Sequence, residues 1–164
     1  GLISWLGTER RTTIDALCDR FQFPTRVAAA MRGLESLFSG FAAKLKSRRS
    51  EAVFFLEKVP IASLFCYDAM ADDAAIHAFI RDYLCDWRYR RPTTDGALLK
   101  RMGFAPGAWM GAVLDRLRAA RIDGEIERDE EEAALRARLI SELEREGALD
   151  RAERKGEPDE RMAG

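Results

Sequence analysis

The chain has 164 residues, 47% hydrophobic and 34% charged, enough for one domain of ordinary size with a hydrophobic core. Ala, Leu, Arg and Glu are abundant and Val, Ile and Thr scarce, which favours helices over strands. No apolar run reaches membrane-spanning length and no signal-peptide pattern is present, so no membrane partner is expected.

The formal net charge is −1, but it is unevenly placed. Up to Arg121, 19 Lys/Arg stand against 13 Asp/Glu; from Ile122 onward, 8 stand against 15. A weakly basic body with an acidic end follows, and a basic body is suited to nucleic acid. Cys18, Cys66 and Cys85 are widely spaced and form no C-x-x-C pair, so neither a zinc site nor a redox motif is legible. Reduced thiols and a cytoplasmic setting are expected. Because the chain begins at Gly1 rather than Met, it is read as a fragment of a longer polypeptide.

Trp5 and Leu6 are expected to dock onto the body ahead of a surface turn. Thr12 and Thr13 can cap a short helix that puts Ile14, Leu17, Cys18 and Phe21 on one face. From Pro24 and Thr25 a long helix is predicted to about Ser47. Its stripe is Val27, Ala30, Met31, Leu34, Leu37, Phe38, Phe41, Ala42 and Leu45. Gly33 and Gly40 inside it allow close helix crossings. Lys44, Lys46, Arg48 and Arg49 suit the negative end of the helix; the functional alternative is that they contribute to an anion-binding surface.

Ser50 is expected to cap the next helix, and Pro60 to begin another with Ile61, Leu64, Phe65 and Met70 inside. Asp72 or Asp73 caps a further helix bearing Ile76, Phe79, Ile80, Tyr83, Leu84 and Trp87. His77, the one histidine, has no evident catalytic partner in sequence. Asp68, Asp72 and Asp73 resemble metal carboxylates, but helix capping accounts for them and no metal site is assigned. The helix then runs into Trp87-Arg88-Tyr89-Arg90-Arg91-Pro92. Alternating aromatics and arginines can put guanidinium groups on phosphates while rings stack or pack. The structural alternative is a core tryptophan at a basic helix end.

Residues 94–126 read as two helices joined by a corner. Asp95-Gly96 opens the first, Gly103 stops it, and Pro106-Gly107 starts the second, which carries Trp109, Val113, Leu114 and Leu117. Gly111 leaves a smooth face for a backbone or a phosphate. Asp123-Gly124 makes a turn, and Asp129 is expected to cap a last helix whose acidic first turn complements its dipole. Leu135, Leu139 and Leu143 form its apolar seam, with Ile140 beside them.

The fold expected is therefore all-α. It is a compact bundle of about seven or eight helices over residues 1–146, with a helix-turn-helix corner near 94–121 and a polar, disordered tail over 147–164. No G-x-S-x-G elbow, Walker loop, H-E-x-x-H or dinucleotide fingerprint occurs, nor the Asp-x-Asp pair of a two-metal nucleotidyl-transfer site. No catalytic residue is assigned.

The run from Gly96 to Ile126 resembles the C-terminal helical region of the bacterial class II tRNA nucleotidyltransferase and poly(A) polymerase family. Gly96, Leu99, Gly103, Pro106, Gly107, Gly111, Leu114, Leu117, Gly124 and Glu125 carry the resemblance, with Trp87-Arg88 just ahead; it covers roughly residues 80 to 133. Trp109 and the acidic last helix depart from the pattern. The resemblance implies a helical body and tail that hold the tRNA elbow and acceptor-stem backbone. Arg88, Arg90, Arg91, Lys100, Arg101 and Gly107 are the RNA-binding candidates. It also implies that a separate N-terminal head, absent from this chain, would use Mg²⁺ and nucleoside triphosphates. The alternative is a helical interaction or dimerisation module, a homodimer included, motivated by the stripe at 27–45 and the seam at 135–143. A third reading takes the corner as a non-specific DNA-binding hairpin of helices.

Overall fold

The computed structural model describes residues 9–147, and these are all-helical: eight helices, with no extended strand among them. Trp5, Leu6 and the polar tail beyond Gly147 lie outside the described residues. The chain divides into two compact units, one through Arg90 and one from Arg91.

In the first unit α1 (Glu9–Phe21) turns back along α2, which begins as Thr25–Ser36. The Pro24 carbonyl accepts the Val27 and Ala28 amides, so proline's fixed φ starts the helix. Arg32 and Asp15 tie the two helices together at 2.8 Å. At Leu37–Phe41 α2 widens into a π turn before closing with Ala42–Lys44, slightly short of the expected end. A π turn rotates less per residue, which keeps Leu37 and Phe41, four apart, on one buried line. Phe41 then meets Tyr67 and Phe79 edge-on and Phe55 in a stack, at 5.9, 5.6 and 6.3 Å between centroids.

Helix α3 (Arg49–Glu57) starts after Arg48 with no side-chain cap. Ser50, expected as the cap, is instead buried within the first turn, because Val53 and Leu56 must face the core and carry Ser50 inward with them. Helix α4 (Ile61–Met70) crosses α2 at Gly33. A Cβ there would stand 2.6 Å from Ser63 Oγ and 2.8 Å from Pro60 Cδ. Ser63 donates to the Ala30 carbonyl at 2.7 Å, locking the crossing. Gly40 has only ordinary contacts, with Phe55. The Gly33–Ser63 contact rotates α4 so that Ser63, Leu64 and Tyr67 face inward. Ile61, Phe65 and Met70, expected inside, are exposed.

Helix α5 (Ala74–Cys85) is capped by Asp73, whose carboxylate accepts the Ala75 amide at 2.8 Å. It buries Ile76, Ile80 and Tyr83. Trp87–Tyr89 then form a 3₁₀ turn rather than continuing the helix.

In the second unit α6 (Gly96–Arg101) is capped by Asp95 through the Leu98 amide at 2.7 Å. Gly103 follows with φ +89°, a left-handed stop. Helix α7 (Ala108–Asp123) ends the same way at Gly124, φ +76°. Helix α8 (Asp129–Arg145) begins one residue earlier than a cap at Asp129 requires. The two amides just ahead of it are met by Glu131, which accepts from Glu127 at 2.9 Å and Arg128 at 3.3 Å. Those two amides and the Arg128 guanidinium hold the Glu131 carboxyl down at about 2. Val113, Leu117, Ala120, Ile126 and Leu135 make one apolar cluster, with Leu139 and Leu143 against it. Leu99, Phe104, Met110 and Ile140 make a second. The Leu135–Leu143 seam packs within the second unit, whereas of the stripe at 27–45 Leu37 and Phe41 are buried and Val27, Phe38 and Ala42 are exposed.

Candidate nucleic-acid interface

In the first unit two basic runs that are far apart in sequence meet. The Arg49 guanidinium lies 5.0 Å above the Trp87 ring, and Trp87 in turn packs edge-on against Phe79 at 4.7 Å. Arg88 sits 5.2 Å over Tyr89 and 5.9 Å over Tyr83. Tyr89 itself is 65% exposed, so this ring is presented at the surface. The 3₁₀ turn causes the arrangement: leaving the helix at Cys85 sends Trp87 back onto α5 while Tyr89 points outward. A guanidinium over a ring is held through its flat face.

Arg90 is differently placed. It grips Asp86 through Nη2 at 2.7 Å and Nε at 3.1 Å. That hydrogen-bonded pair, assisted by the charge of Arg49, holds the Asp86 carboxyl below its usual range. Arg90 is therefore already committed to a carboxylate. Lys44 is 3.6 Å from Glu51, and Lys46 is exposed beside the same junction.

The remaining candidates belong to the second unit and stand in three places. Arg91 lines a cleft of about 430 Å³ with Pro92, Thr94, Asp95, Leu114 and Arg118. Lys100 and Arg101 are exposed in the last turn of α6. Gly107 is the exposed residue before α7, and no side chain caps that helix end. Its lack of a Cβ has a packing reason: the Trp109 ring would stand 2.8 Å from one. Trp109 donates its indole N–H to the Ala105 carbonyl at 3.2 Å and meets Phe104 edge-on, so the ring folds back over the corner. Gly111 faces open space.

The segment carrying Arg91 is fixed by a buried carboxylate. Glu132, 1% exposed, accepts the Thr94 amide at 2.7 Å, the Thr93 amide at 3.1 Å and Arg121 Nε at 2.5 Å. Arg121 also reaches Asp129 and the Thr93 hydroxyl, and Arg136 donates to Thr94 Oγ1 at 2.9 Å. Burial alone would raise the Glu132 carboxyl. The Thr94 amide and hydroxyl, Arg121 and the Thr93 amide together outweigh it and lower it. The acidic first turn of α8 therefore does more than complement a dipole.

Sequence reasoning missed Arg49 as a partner of Trp87, Arg118 as a wall of the cleft, and Glu132 as an anchor. Only the charge of Arg49 and Arg118 was a usable signal, and their pairing is a matter of tertiary contact. His77, which lacked a partner in sequence, has one: its Nδ1 is 2.8 Å from Asp68 Oδ1. Both side chains are exposed beside a short α4–α5 turn, and the contact ties that turn together. Among the described residues no group of three His, Cys, Asp or Glu could hold a metal ion, and no helix is long and apolar enough to cross a membrane. The chain matches no protein-family model, no curated protein and no solved structure.

Proposed function

We propose that this chain binds the backbone of a structured RNA, and that its ligand is tRNA held as a body and tail would hold it in a nucleotidyltransferase of the poly(A) polymerase type. The observation that supports the reading is the pair of guanidinium groups seated over aromatic rings around one 3₁₀ turn, Arg49 on Trp87 and Arg88 on Tyr89. RNA duplex is recognised through shape, phosphates and 2′-hydroxyls, and such recognition needs oriented cations more than base-reading side chains. Arg91, Lys100, Arg101 and the α7 end at Gly107 would add phosphate contacts from the second unit. Catalysis, with Mg²⁺ and nucleoside triphosphates, would belong to a head domain outside this sequence.

The test is tRNA binding by the chain across a salt series. Affinity should fall steeply with salt, and Arg49→Gln and Arg88→Gln should each reduce the slope of log K against log salt by about 0.7 to 0.9. Duplex DNA should compete poorly. Absence of tRNA binding at about 50 mM salt, where phosphate contacts are strongest, would sink the reading. Equal competition by duplex DNA would favour the hairpin-of-helices alternative instead.

A further inference from the structure

At 65% exposure, Tyr89 is the most exposed large apolar or aromatic side chain among the described residues, yet it stands on a fixed mount. The 3₁₀ turn closes on both sides of it. Its amide donates to the Asp86 carbonyl at 2.9 Å, and the Arg90 amide donates to the Trp87 carbonyl at 3.2 Å. The Arg90 guanidinium clamps the Asp86 carboxylate at 2.7 Å, and Trp87 packs edge-on against Phe79 at 4.7 Å. Arg88 steadies the ring itself. Its guanidinium lies 5.2 Å from the Tyr89 centroid and 5.9 Å from that of Tyr83, which is 4% exposed. One cation thus bridges an inward ring and an outward one.

A fixed, exposed ring has a definite use against RNA. Paired stems hide the faces of their bases in the stack, leaving shape, phosphates and 2′-hydroxyls to be touched. An unpaired base has an open face, and it stacks on an aromatic ring whatever its identity. Tyrosine suits the task because only two side-chain torsions must be fixed, and the turn and Arg88 restrict them before any ligand arrives. The setting favours a polyanion over an apolar partner, since Arg88 lies on this ring and Arg49 on Trp87 of the same turn. Resting on the RNA-binding reading above, we propose that Tyr89 stacks one unpaired base. The first unit then engages a bulge, loop or strand end of the RNA, where a continuous duplex would leave the ring unused.

The test compares a blunt RNA duplex with the same duplex carrying one bulged 5-iodouridine, both offered to the full chain. The bulged duplex should bind more tightly, and near-ultraviolet irradiation should join its iodouridine to Tyr89, located by peptide mass spectrometry. Tyr89→Ala should weaken binding of the bulged duplex by about 5- to 140-fold more than binding of the blunt one. That is the ~1 to 3 kcal/mol of a base–aromatic stack at 1.4 kcal/mol per tenfold. Tyr89→Phe, which keeps the ring, should retain the preference. Circular dichroism should show unchanged helicity in both variants, because the side chain is mostly exposed. The stacking inference is overturned, with the RNA-backbone reading left standing, by any of three results: no preference for the bulged duplex, an equal loss on both duplexes in Tyr89→Ala, or a cross-link only at other residues. Loss of all RNA binding at about 50 mM salt, tRNA included, would sink both.

Discussion

Glu132→Gln is the most informative single change in the second unit. The carboxylate holds two amides and the Arg121 guanidinium at 2.7, 3.1 and 2.5 Å from a position that is 1% exposed. Glutamine keeps one acceptor oxygen and places an NH₂ where the second was, so one partner gains another donor as its neighbour. Removing one member of a buried pair costs about 3 to 5 kcal/mol. Here Arg121 is 18% exposed and retains Asp129, which lowers the figure to about 2 to 4 kcal/mol. Amide hydrogen exchange at Leu117 and Ala120, in the core of the unit, reads this directly. Their protection should fall by about 30- to 700-fold, at 1.4 kcal/mol per tenfold. Asp129→Asn removes a partner that is 68% exposed, and should cost under about 1 kcal/mol. The reasoning is refuted if Glu132→Gln changes protection no more than Asp129→Asn does. Glu132 sits below its usual carboxyl range in the folded state. Its contribution is therefore present above the unfolded value and is lost as pH falls through the lowered folded one.

Two helix glycines should respond in opposite directions to alanine. Gly33→Ala forces Ser63 and Pro60 apart and should destabilise the first unit by about 1 to 2 kcal/mol after the helix-propensity gain, measured by chemical denaturation. Gly111→Ala meets open space and should stabilise the second unit by up to about 1 kcal/mol; if it weakens tRNA binding as well, that glycine serves close approach to a ligand. The hydrogen bond to the Asp68 carboxylate raises the His77 imidazole above its usual value. The resulting stabilisation of the α4–α5 turn is fully present below about pH 6.5, the unfolded value, and disappears as pH rises through the folded one. Thermal unfolding of the first unit followed from about pH 5 to 9 should show that slope, and His77→Gln should abolish it. A variant with the same slope would remove His77 as its source.

What can be read along the chain alone is whatever a few neighbouring residues decide. The 3–4 spacing of Ile76, Ile80 and Tyr83, a cap at Asp72 or Asp73, the helix start at Asp95, the left-handed stop at Gly103 and the turn at Gly124 are each settled within about one helical turn and were legible. The same spacing in α4 did not reveal which side is inward, because Ile61, Phe65 and Met70 are as apolar as Leu64. That choice is made by the close approach of Gly33 to Ser63 and by the Ser63 hydrogen bond to the Ala30 carbonyl, 33 residues away. Likewise Glu132 stands in an acidic run that looks solvated, and only Thr94, 38 residues earlier, makes it an anchor. Arg49 was one of several basic residues at a helix end until the 3₁₀ turn brought Trp87 beneath it. Local backbone preference and apolar period placed the helices; the rotation of each helix, and the charges that it pairs, depend on contacts that form only when distant segments meet.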